Sequence, residues 1–179
     1  MKTINININI KNLAITLRGD TMDLPIQSSV EEDRSWKLNF KHGRRVMAII
    51  EPNSLWVYFS CHSPKESDVT IISKIHPDLT KICHPHEILL VDKVFDVENK
   101  NLKSPRAISG YTLRGNSTLP YEFKQQNRVL EALRGDIEKA FGHFQGFFHR
   151  FDKKKAFTFS YEVFDQMIGT VLNLLNQNN

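Results

Sequence analysis

The chain has 179 residues, 40% of them hydrophobic and 25% charged, and a net charge of +4. No apolar run approaches the ~18 residues of a membrane span, and two cysteines, Cys61 and Cys83, do not make a disulfide framework. A pI near 9.1 suits nucleic acid or an acidic partner without requiring either.

At the N-terminus Ile4, Ile6, Ile8 and Ile10 alternate with Asn5, Asn7 and Asn9, the period of a half-buried strand. No basic-then-apolar leader precedes it, so the expected setting is cytoplasmic. The apolar positions then move to Leu13, Ile15 and Leu17. A hairpin turning at Lys11-Asn12 places all of them on one face; a bulged single strand does the same. Residues 19–34 are polar, end in Glu31-Glu32-Asp33 and read as a loop.

Residues 35–60 read as a meander. Trp36, Leu38 and Phe40 alternate, His42-Gly43 offers a turn, and residues 46–50 form a central strand. Glu51-Pro52-Asn53-Ser54 turns the chain into a strand at 55–59. Regular pairing puts Trp36, Leu38, Met47, Ile49, Trp56 and Tyr58 on one face and Val46, Ala48, Ile50, Leu55, Val57 and Phe59 on the other. Both faces are apolar, so both should be covered, one by helices and the second by another subunit.

Beyond residue 60 the pattern weakens. Val69 to Ser73 suits a strand, Pro77 to Cys83 a short helix with Pro77 in its first turn, and Ile108 to Leu113 a strand. Residues 87–97 fit a helix or a strand. Two helices follow, at about 126–150 and 160–175. In the first, Leu130, Leu133, Ile137, Phe141, Phe144, Phe148 and Phe151 make one apolar stripe. In the second, capped by Ser160, the stripe is Phe164, Met167, Ile168, Val171, Leu172 and Leu175. Strands first and helices last predict an α+β fold in a single domain. Its antiparallel sheet of about five to seven strands is drawn from residues 4–73 and 107–113, with the two C-terminal helices on one face.

The first C-terminal helix has a second face. At ~100° per residue Gly135, Gly142 and Gly146 lie opposite the apolar stripe. Arg128, Lys139, Arg150 and Lys153 flank them. A glycine inside a helix costs about 1 kcal/mol relative to alanine. Three on one side suit close approach by another protein, a second copy of this chain, or phosphates; bending of the helix is the simpler explanation.

Two further groups could carry chemistry. Lys41, Arg44 and Arg45 beside the His42-Gly43 turn, with Lys153, Lys154 and Lys155, would make a nucleic-acid patch if they met. Cys61-His62 and Cys83-His84, with His86, carry zinc-ligand chemistry, but without a Cys-x₂-Cys or His-x₃-His spacing. No P-loop, Gly-x-Gly-x-x-Gly, Gly-x-Ser-x-Gly or His-Glu-x-x-His motif occurs. A Cys83 nucleophile has no local support.

The sequence therefore favours a non-catalytic protein-binding module without a cofactor: an adaptor, chaperone or inhibitor using the glycine and basic face of the long helix. A nucleic-acid binder is the alternative, and a metal-dependent enzyme the third reading. Over roughly residues 35–150 the layout resembles, in architecture alone, the small chaperones of bacterial type III secretion. No motif carries that resemblance, and the basic charge departs from their acidic character.

Overall fold

A computed structural model describes residues 16–27, 34–35, 41–53, 55–84, 87–92, 106–110, 119–147, 158 and 160–177. The strands are β1 (Thr16–Pro25), β2 (Arg34–Ser35), β3 (Lys41–Ile50), β4 (Trp56–His62), β5 (Ile88–Leu90) and β6 (Arg106–Ile108). The helices are α1 (Asp68–Ile82), α2 (Tyr121–Phe147) and α3 (Tyr161–Gln177). The class is α+β, as expected. The strand order is β2-β3-β1-β5-β6, with β4 also on β3. The expectation of an antiparallel sheet is corrected: β1–β3, β2–β3 and β3–β4 are antiparallel, but β1–β5 and β5–β6 are parallel.

Helix α1 is the reason. Strands β4 and β5 run in the same direction, and a parallel connection needs a long crossover. The 15 residues of α1 supply it, in place of the strand at 69–73 and the short helix at 77–83 expected from sequence. Ser67 caps the helix by accepting from the Thr70 N–H at 3.2 Å. Pro77 sits in its interior rather than its first turn. It is tolerated because its side of the helix faces water, which can satisfy the carbonyl that loses a donor.

Residues 19–25, expected to be loop, belong to β1. Odd residues of the strand face α1 and even ones face α2 and α3. Leu17 packs beneath α1, while Met22, Leu24 and Ile26 enter the opposite core. The polar residues between them are buried with partners, as set out below. Gly19 is a close approach: a Cβ there would lie 3.1 Å from Met47 Cε and 3.2 Å from Leu89 Cδ1. His42-Gly43 is not a turn but lies within β3, where Gly43 pairs with Pro25.

The sheet is covered on both faces by this chain, so no second subunit is needed for that purpose. Under α1, Ile71, Ile72, Ile75 and Leu79 close on Leu17, Met47, Ile49, Leu89 and Val91. On the other face Ile137, Phe141 and Phe144 of α2 and Phe164, Ile168 and Leu172 of α3 close on Met22, Leu24, Val46, Ala48 and Ile50. Trp56 belongs to this second core, not to the Met47 face. The ladder pairs Ile50 with Trp56 but Ile49 with Tyr58, so Val57 is an extra residue and the alternation slips by one. The indole then packs 5.7 Å from the Phe141 ring and 6.2 Å from Phe144, centroid to centroid. Asn176 of α3 brackets the same residue. Its Oδ1 accepts from the Trp56 N–H and its Nδ2 donates to the Trp56 carbonyl, both at 2.8 Å.

Helix α2 starts five residues earlier than the expected 126. Leu130 and Leu133 near its N-terminal end join Ile88, Leu90 and Ile108 over β5 and β6. Of residues 87–97, open between helix and strand, Ile88–Leu90 form β5, and 93–97 lie outside the described residues. The hairpin at 4–17 up to residue 15, the strand at 36–40, and residues 148–157 lie outside the described residues.

Candidate functional site

The inward stripe of α2 is buried: Leu130, Ile137, Phe141 and Phe144 are all below a tenth exposed. The opposite side carries Arg128, Ala132, Lys139 and Gly142, all exposed, with Gly135 half-buried and Gly146 exposed. A Cβ added at Gly135, Gly142 or Gly146 would meet nothing within 4 Å among the described residues. Lys139 Nζ pairs with Asp136 Oδ1 at 3.1 Å, one turn back along the helix. Arg150 and Lys153 lie outside the described residues.

Salt bridges hold α2 in place, through residues that sequence reasoning did not single out. Arg18 of β1 donates from Nε to the Leu133 carbonyl at 2.5 Å and pairs with Asp136 at 3.3 Å. Arg134 reaches Asp20 of β1 at 2.7 Å, Glu138 at 2.7 Å and Asp92 at 3.9 Å. Burial alone would lower the Arg134 pKa, but Asp20, Asp92 and Glu138 together raise it above its ordinary value. The i,i+4 spacing of Arg134 and Glu138 was the one trace of this network in the sequence.

Arg44 and Arg45 of the basic cluster at 41–45 lie on opposite faces of the sheet. Arg45 is 4% exposed. Its Nε pairs with Asp23 at 2.8 Å, its Nη1 with Asp68 at 3.3 Å, and the Glu66 carbonyl accepts from Nη1 at 2.7 Å. Burial opposes the charge, yet the bond from Asp23 and the fields of Asp23, Asp68 and Glu66 raise the pKa. Thr21 donates to Asp68 at 2.9 Å, and Ser35 donates to Asp23. Arg44, on the other face of β3, pairs with Asp165 at 3.0 Å and stacks 4.9 Å over the Tyr161 ring. The Lys41 side chain and Lys153, Lys154 and Lys155 lie outside what is described.

The zinc candidates are also separated. Cys61 packs into the α2–α3 core and Cys83 against the α1 core, so the sheet stands between them. Successive residues point to opposite faces, so His62 is on the α1 side. It bonds Ser60 Oγ at 2.7 Å beside the start of α1, whereas Cys83 caps the far end. His84 is exposed, with its N–H donating to Glu87 at 2.7 Å; His86 is outside the described residues. Among the described residues no group of three His, Cys, Asp or Glu could hold a metal ion. Burial pushes the Cys61 thiol up, with Asp165 adding to it. Burial and then Glu87 push Cys83 up to about 11, which leaves it protonated at neutral pH and a weak nucleophile.

No helix among the described residues is long and apolar enough to cross a membrane. Comparison of the chain with protein-family models, curated proteins and solved structures finds no match.

Proposed function

We propose that this protein is a non-catalytic binding module that takes a helix of another protein along the outward face of α2. The observation that carries this reading is the open space over Gly135, Gly142 and Gly146. Three glycines weaken the helix by about 3 kcal/mol relative to alanine, and no contact among the described residues requires them. A partner helix laid against them could approach the α2 backbone closely, as side chains of ordinary size would not permit. Arg128, exposed on the same side, favours an acidic flank on that partner. The nucleic-acid alternative loses support because Arg44 and Arg45 are both engaged by carboxylates within the fold.

The test is size-exclusion chromatography with light scattering on protein isolated from its own cells, beside a Gly142→Leu variant. A complex well above the 20.8 kDa of one chain, with a protein-like 260/280 nm ratio, is expected for the original. The variant should elute alone with an unchanged circular dichroism spectrum. A 20.8 kDa monomer in both samples would overturn the reading. Salt-strippable nucleic acid would replace it with the alternative, and a complex of two identical chains would make the partner helix a second α2.

A further inference from the structure

We propose that a cleft between the carboxyl ends of β5 and β6 and the side of α2 binds a small organic cation, an ammonium group on a short apolar body. The site is separate from the outward face of α2, and its test is independent of that reading.

The cleft encloses about 270 Å³. It lies where the parallel strands end, beside Asp92 after β5 and Gly110 after β6. Its floor is apolar: Leu90 is 4% exposed, Ile108 5% and Leu130 7%. Pockets for drug-sized ligands run from roughly 300 to 1,000 Å³, so this one fits a molecule of few atoms. The apolar floor selects a body of hydrocarbon character.

Charge selects the head group. Arg134 is the cation on the wall, and its Nη1 and Nη2 already hold Asp20 and Glu138 at 2.7 Å each. Asp92 is only loosely engaged, 3.9 Å from Arg134. Glu131, also on the wall, is exposed. Among the described residues of the wall, Asp92 and Glu131 therefore outnumber Arg134, on a chain whose net charge is +4. An anion would meet a guanidinium whose charge is already matched by Asp20 and Glu138; an ammonium would meet Asp92 and Glu131. A metal ion is a poorer fit, because no group of three ligating side chains occurs among the described residues.

The probe is n-pentylamine, titrated calorimetrically into the full chain, with pentanoate and pentanol as its charge-reversed and neutral counterparts. Saturable one-to-one binding of pentylamine is expected, with at least ten-fold weaker binding of the other two. The Asp92→Asn/Glu131→Gln double variant, in which both side chains are partly or fully exposed and the fold should persist, is expected to lose at least ten-fold in affinity. Glu122→Gln, an exposed carboxylate of α2 outside the cleft, should lose none. The proposal fails if pentylamine does not saturate, if pentanoate or pentanol binds equally, or if the double variant binds as the original does. An equal loss in Glu122→Gln would show a diffuse surface effect and would also overturn it.

Discussion

The two faces of the sheet are sealed by different means. Beneath α1 the filling is aliphatic, four side chains of the helix on five of the sheet, and a charged cluster closes the layer at one end. Arg45 and Asp23 in that cluster have side chains 4% and 1% exposed. Beneath α2 and α3 the filling is aromatic, with Trp56, Phe141, Phe144 and Phe164 together. Two of its ion pairs sit at the margins, Arg134–Asp20 at 18% and 16% exposed and Arg44–Asp165 at 17% and 37%, while the Arg18 side chain, which reaches Asp136, is 6% exposed. Water can reach the two marginal pairs if a partner is removed and cannot readily reach Arg45 and Asp23. Equivalent-looking arginines on adjacent residues of β3 therefore carry unequal weight.

Substituting Arg45 by Met tests that inequality most severely. It leaves Asp23 and Asp68 buried without their counter-charge and should cost about 3–5 kcal/mol in urea unfolding. Arg44→Met should cost about 1 kcal/mol or less. Adding Asp23→Asn to Arg45→Met should recover part of the loss; no recovery would show that packing, not charge, holds that end. Phe144→Ala should cost about 3–5 kcal/mol and Leu79→Ala about 2–5 kcal/mol, since both side chains are fully buried. Equal losses from the two would mean that the aromatic and aliphatic layers relax alike.

Smaller effects separate packed from open backbone. Gly19→Ala crowds Met47, Leu89 and Val91 and should destabilise by about 1–3 kcal/mol. Gly142→Ala meets nothing among the described residues and should raise stability by up to about 1 kcal/mol. Thermal unfolding of the two variants checks the opposite signs. The mildest expectation concerns pH. Burial lowers the pKa of His62 below 6.5, with Glu66 partly opposing, and burial lowers His76 as well. The unfolded chain then binds protons first as pH falls, so stability present above about 6.5 is lost as pH drops through the folded values. A His62→Gln/His76→Gln variant should show a flatter stability profile between about pH 7.5 and 5.

The apolar stripes of α2 and α3 were legible because each combines a long 3.6-residue period with a one-sided burial that tertiary contacts do not alter. Four of the stripe residues of α3, Phe164, Ile168, Val171 and Leu172, are buried. Helix α1 was not legible because Thr70, Ile71, Ile72 and Ile75 are β-branched and Pro77 interrupts the pattern. Its helical state comes from burial against the sheet, which outweighs local preference. Strand β1 was hidden for another reason. Arg18, Asp20, Thr21 and Asp23 look like loop residues, and only the partners Leu133, Arg134, Asp68 and Arg45 make a polar strand affordable inside a layered core. Those partners lie 22 to 115 positions away along the chain, beyond any local pattern. The glycines of α2 lie away from the core stripe, as the period implies, while Arg45 is buried beneath α1 and Arg44 is paired with Asp165 on the other face of the sheet.

The slip at Val57 has a consequence for chain length. Because Ile50 faces Trp56 and Ile49 faces Tyr58, a chain lacking Val57 would keep the residue pairs of β3 and β4 and the orientation of the indole, which Asn176 holds from the other side. Removing a residue elsewhere in the paired part of β4 would send part of the strand to the wrong face. Val57 is thus the position in this strand where evolution or an engineer can shorten the chain and leave both cores intact.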